Sequence, residues 1–179
     1  MLPLLFYLTR INNYHIMNNP LLTTSTLPYG APQFDKIENP HYIPAFKQAI
    51  EEAKAEVDAI INNTDAPTFE NTIEALEYAG STLNKISHIF YNLLEADTND
   101  EMQNIAEEIT PLTTEFSMYV SLNESLFQRV KQIYDTKNLL NLNAEETRLL
   151  EKTYEGFARN GANLSPENKE IYSKYIEEL

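Results

Sequence analysis

HYIPAFKQAIEEAKAEVDAI, residues 41–60, decides the fold class. Ile43, Phe46, Ile50, Ala53, Val57 and Ile60 recur at alternating spacings of three and four, which places them in one stripe on a helix of about 20 residues. Glu51, Glu52, Lys54, Glu56 and Asp58 take the opposite face. Just upstream, Asn39-Pro40 supplies a start signal, with Asn suited to cap and Pro suited to the first helical position.

The same rhythm continues on both sides of each break. Asn62–Pro67 interrupts it, and Phe69, Ile73, Leu76, Gly80, Leu83, Ile86, Phe90 and Leu93 restore it. One helix is therefore expected across Gly80, where the missing side chain suggests close approach of another backbone. Asp97–Asp100 ends that helix, and Thr98 or Asn99 caps the next, which carries Met102, Ile105, Ile109, Leu112, Phe116 and Tyr119. Pro111 lies inside it and predicts a kink or a split. Asn123 opens a helix with Leu126, Phe127, Val130 and Ile133. Asn143 and Glu146 have capping-box spacing ahead of Leu149, Leu150, Tyr154 and Phe157. Asn160-Gly161 closes that helix, and Ser165-Pro166 opens a last one. No run alternates like a strand. The class is all-α, an array of about six helices.

The flanking segments differ from this core. Residues 1–17, beginning MLPLLFYLTR, form a leader whose apolar run is too short for a membrane span of about 20 residues. The run also lacks a basic segment before it and a small-residue cleavage site after it. Met17 is the expected true start, leaving the leader as a start-site artefact or a disordered tail. Residues 18–38 are rich in turn formers (Pro20, Pro28, Gly30, Pro32) and read as an extended arm. Leu21, Leu22, Leu27, Tyr29 and Phe34 give that arm apolar contacts for a neighbouring surface. Residues 39–179 are the helical region, and the apolar register of the last helix still running at Leu179 predicts a truncated chain.

The bulk numbers exclude several functions. With 13 basic against 27 acidic residues the formal charge is −14, so phosphate backbones are repelled and nucleic acid is not an expected partner. There is no Cys, which removes disulfides, thiolate metal sites and a Cys nucleophile, and fits a cytoplasmic setting. The three histidines, His15, His41 and His88, include no pair at zinc-ligand spacing. Glu38-x-x-His41 has the i, i+3 spacing of di-iron bundles, but Pro40 falls between its members and the helix is only beginning. His41 is expected in a packing or first-turn role, and His88 as a partly buried, hydrogen-bonded side chain. No catalytic, cofactor-binding or metal-binding residue is assigned in this chain. Most of the 11 Tyr and 8 Phe fall on or beside the stripes and are expected in the core.

Several segments, in order, resemble the start of zinc metallopeptidases of the thimet-oligopeptidase family. They are NPLLTTSTLPYGAPQFDKI from Asn19, HYIPAFKQAIEEAKAEVDAI from His41, and APTFENTIEALEYAG from Ala66 to Gly80. FYNLLEADTND from Phe90, LNESLFQRVKQIYD from Leu122 and YEGFARNGANLS from Tyr154 follow. The arm is most similar to the bacterial peptidyl-dipeptidase branch. The resemblance implies the N-terminal helical portion of a larger, zinc-dependent enzyme that hydrolyses short peptides, with these helices in the wall or lid of a channel. The zinc motif and the catalytic region would lie beyond Leu179, as the partner of this segment. The alternative is a stand-alone helical scaffold that binds peptides or a partner helix.

Overall fold

The computed structural model describes residues 19–177; the expectations for the leader and for Leu179 lie outside them. No strand occurs among the described residues. The helices are α1 (Tyr42–Ile61), α2 (Ala75–Tyr78, continuing a π-helical turn Phe69–Glu74), α3 (Ser81–Ala96), α4 (Asp100–Ser121), α5 (Glu124–Asp135), α6 (Ala144–Arg159) and α7 (Pro166–Glu177). The chain divides into two compact units, one of residues 19–53 with 80–112 and the other of 54–79 with 113–177.

In the first unit the arm is tied down at its start. Asn19 is fully buried: its Nδ2 donates to the His41 carbonyl at 2.7 Å, and its Oδ1 accepts the Leu21 N–H at 3.0 Å. Leu21 is buried with it, whereas Leu27, Tyr29 and Phe34 stand exposed, so most of the apolar arm residues do not pack. Tyr29 holds a left-handed φ of 59° before Gly30. The start of α1 differs from expectation. Asn39–His41 is a single 3-10 turn, and Glu38, not Asn39, is the cap. Asn39 instead donates to Glu101 Oε2 at 2.8 Å.

The buried face of the α1 segment in this unit is also broader than the spacing suggested. Tyr42, Ala45 and Ala49 are buried along with Phe46, Ile50 and Ala53. The two alanines keep the helix surface low enough for neighbours to pack closely. Phe90 of α3 meets Tyr42 and Phe46 edge-on, at centroid distances of 4.8 and 5.8 Å.

The expected helix through Gly80 is two helices. Ala79 is extended and Gly80 has φ 75°, which ends α2 and starts α3. A Cβ at Gly80 would sit at an ordinary 3.5 Å from Ala53 Cβ, so the glycine serves the left-handed turn rather than a close approach. Gly80→Ala is expected to cost about 1–2 kcal/mol through backbone strain alone. A loss under a quarter of that in urea titration would contradict the conformational account.

α4 is not split at Pro111. It runs unbroken from Asp100 to Ser121, with Pro111 on its exposed side, open to solvent. Asn99 proves to be its cap, accepting the Met102 N–H at 3.0 Å.

In the second unit the local signals are realised closely. Asn123 accepts the Leu126 N–H at 2.9 Å. Asn143 and Glu146 form the reciprocal capping box, with bonds of 2.9 and 2.8 Å. Gly161, at φ 87°, ends α6, and the Ala162 N–H closes the turn on the Phe157 carbonyl. Val57, Ile60, Phe69 and Ile73 pack with Leu126, Phe127, Val130, Ile133, Leu150 and Phe157 in one buried cluster. A ladder of rings flanks it: Tyr134 stacks on Tyr154 at 3.9 Å, and Phe127 lies 5.8 Å from Tyr154.

Candidate functional site

The groups weighed as metal ligands are taken up locally. Glu38 and His41 cap each other, the Glu38 N–H donating to His41 Nδ1 at 3.0 Å. That bond occupies the lone pair a metal would need. His88 is exposed rather than partly buried, because it falls on the solvent side of α3 between the buried Ile86 and Ile89. His15 lies outside the described residues. Among the described residues no group of three or more His, Asp or Glu converges.

What the second unit does offer is a groove of about 400 Å³ between the end of α4 and the second half of α6. Phe116, Ser117 and Val120 form one side, and Lys152, Gly156 and Phe157 the other. Phe157 is buried, but Phe116 and Val120 remain half-covered although both touch the core cluster. Apart from its chain neighbours and the backbone of α6 itself, nothing lies within 4 Å of where a Gly156 Cβ would stand. A glycine inside a helix costs about 1 kcal/mol against alanine, and packing within this unit does not require it. Gly156 interrupting an otherwise good helical run is the sequence signal that would have pointed here.

The groove is not a charged site. Lys152 Nζ is paired with Glu155 Oε2 at 2.7 Å, and that hydrogen bond holds the Glu155 carboxyl below its ordinary range. On the other side of α4, the Tyr119 hydroxyl donates to Asp58 Oδ1, which pushes the phenol pKa up. A second hollow, of about 570 Å³, has Lys131 and Lys169 on its rim. Lys169 Nζ already sits 2.9 Å from Glu124 Oε2, and its hydrogen bond lowers the Glu124 pKa. These cations are matched by carboxylates of the same chain, leaving apolar contact as the chemistry the groove presents.

No helix of the described residues is long and apolar enough to cross a membrane. Comparison with known proteins gives the lineage. Residues 46–169 match the family described as the N-terminal domain of neurolysin/thimet oligopeptidase. The chain is 40% identical over 151 residues to dipeptidyl carboxypeptidase of Escherichia coli (strain K12), covering 84% of this chain and 22% of that protein. Identity to the dipeptidyl carboxypeptidase of Salmonella typhimurium is 38% over the same length, with the same shares. Oligopeptidase A of Escherichia coli is 25% identical over 163 residues, or 91% of this chain and 23% of the relative. The chain thus spans about a fifth of the length of these relatives, and all of the matches fall on an N-terminal domain. On that match, and on the all-helical fold that accompanies it, the chain belongs to the neurolysin/thimet oligopeptidase family, as sequence of its N-terminal domain.

Proposed function

We propose that this chain is the N-terminal helical part of a peptidase that releases dipeptides from the C-termini of short peptides. In that role it forms part of the wall or lid around the substrate and leaves bond cleavage to the rest of the enzyme. The observation that carries this is the match of residues 46–169 to the family's N-terminal domain, together with the 22% share of the dipeptidyl carboxypeptidases. The zinc implied by the family resemblance does not fit the side chains described here. His41 Nδ1 accepts a backbone N–H, His88 stands alone, and no three ligands converge. No step of peptide hydrolysis is assigned to them. A cytoplasmic setting belongs to the same proposal, supported by the Cys-free composition.

A second reading, a stand-alone scaffold, is favoured by the full burial reached at the centre of each unit. Phe46, Ile86 and Phe90 in one unit, and Leu126, Val130 and Leu150 in the other, are fully buried without any further chain.

The experiment uses the purified 179-residue chain and a chimera in which it replaces the matched N-terminal segment of the E. coli dipeptidyl carboxypeptidase. The chain alone is expected to release no dipeptide from a tetrapeptide blocked at its N-terminus and free at its C-terminus, and the chimera to release it. Zinc-dependent turnover by the pure chain would end the non-catalytic assignment. A folded but inactive chimera would remove the domain role and leave the scaffold.

A further inference from the structure

We infer that the groove between α4 and α6 is the seat for a helix from the remainder of the longer peptidase, whose apolar ridge lies over Gly156 between Phe116 and Phe157. The inference rests on the domain role proposed above and names where the rest of the enzyme is held.

Three observations converge on this occupant. The groove is mainly apolar and open, and its cation, Lys152, is paired with Glu155, so neither a nucleotide nor an acidic peptide finds a complementary charge there. In the second half of α4, Phe116 and Val120, which line the groove, are only partly covered, whereas Met102, Ile105 and Ile109 of its first half are buried. Apolar side chains held at the edge of a core in this way await a further surface.

Gly156 faces open space beyond its own helix, and its absent side chain leaves room at the groove floor for a close-packed ridge. Helices in contact lie about 8–10 Å apart, and the shorter distances need small residues at the crossing. The relatives supply the occupant: this chain spans 22% of their length, so most of the polypeptide that a domain of this kind meets is the remainder of the same enzyme.

Gly156→Leu separates the groove from general packing, because it acts in opposite directions in the two proteins. In the 179-residue chain it fills open space and improves helix propensity, and the melting temperature is expected to rise by about 2–4 °C. In the chimera with the E. coli remainder it occupies the seat, and the melting temperature is expected to fall. Because the chain has no Cys, Ser117→Cys gives a second readout by peptide mass spectrometry after alkylation. It is expected to react at least about tenfold more slowly in the chimera than in the chain alone, while Gln132→Cys, on the exposed side of α5, reacts alike in both.

Equal Ser117→Cys rates in an active chimera, or a stabilising Gly156→Leu there, would overturn the seat while leaving the domain role intact. Equal slowing at Gln132→Cys would assign the protection to the whole face, and overturn it too. Slow labelling in the 179-residue chain that becomes fast on dilution would give the groove to a second copy. A folded but inactive chimera would remove the domain role, and the seat with it.

Discussion

Phe90→Ala is expected to lower the unfolding free energy by about 3–5 kcal/mol, the largest effect of any single substitution considered for this chain. Phe90 is completely buried, and it contacts Tyr42 at 4.8 Å and Phe46 at 5.8 Å with steep interplanar angles. The loss has two parts. Removing the ring leaves a cavity that α1 and α3 cannot close without moving backbone, because Ala45 and Ala49 already hold the α1 surface at its lowest. It also removes the edge-to-face pairs, worth about 0.5–1.5 kcal/mol each beyond the buried area.

Phe90→Leu separates these parts. It keeps most of the volume and loses the ring geometry, so a cost of about 1.5 kcal/mol is expected. Phe34→Ala is the matching surface control: that ring is 55% exposed, and its removal should change stability by less than about 0.5 kcal/mol. Urea titration followed by circular dichroism gives all three values. If Phe90→Ala cost no more than Phe34→Ala, the aromatic cluster would not be the anchor of its unit. Should the alanine variant fail to fold, the leucine variant still reports the ring's contribution.

The sequence was most readable where structure is decided within a few residues. Asn123, Asn143 with Glu146, Gly161 and Ser165-Pro166 all mark helix ends, and each is found at the end it marked. A cap acts on N–H or carbonyl groups one turn away, so its spacing is visible in the chain itself. Stripes were readable in outline only. Tyr42, Ala45 and Ala49 lie beside the stripe rather than on its three-and-four spacing, and the burial of such flanking positions is set by how near the next helix comes.

Gly80 shows the opposite failure. Its place on an unbroken stripe argued for one helix, yet Ala79 and Gly80 turn the chain between two. Period alone cannot distinguish a glycine tolerated in a helix from one that ends it. The division into two units was equally hidden. Of its three boundaries, Ala79–Gly80 falls at the turn between α2 and α3, but Ala53–Lys54 and Leu112–Thr113 fall inside α1 and α4, where no loop composition announces them. The groove lay out of sight because it is made by half-covered residues that look like core in a periodic count. Lineage, by contrast, was legible from ordered segments such as APTFENTIEALEYAG, since matched order and spacing carry more information than any one residue.

Arg129 carries the second large effect, and its case turns on geometry rather than on charge. The guanidinium reaches from α5 to the loop ahead of α2, where Nη1 donates to the Asn63 carbonyl at 2.8 Å and to that of Asp65 at 3.3 Å. Nη2 donates to Asn71 Oδ1 at 3.2 Å. Asn71 is itself the pivot of the helix start. Its Oδ1 accepts the Thr68 N–H at 2.9 Å, its Nδ2 donates to the Ala66 carbonyl at 3.0 Å, and its own N–H bonds to Thr68 Oγ1 at 3.2 Å. One planar fork therefore fixes a loop and a cap together, with Nε buried and without a partner.

Hydrogen bonds to a charged donor contribute about 1.5–3 kcal/mol each, but the longest of the three runs to the exposed Asp65 carbonyl, which regains water when the fork is removed. Arg129→Ala is therefore expected to cost about 2–3 kcal/mol rather than the full sum. Arg129→Lys keeps the charge and loses the fork, so it should recover less than half of that. Because the buried Nε is a cost of the native arrangement, Arg129→Met is expected to cost slightly less than Arg129→Ala, its chain filling the same channel. Urea titration orders the three. Lysine restoring nearly full stability would mean that the positive charge, and not the bidentate shape, holds residues 63–71 against α5.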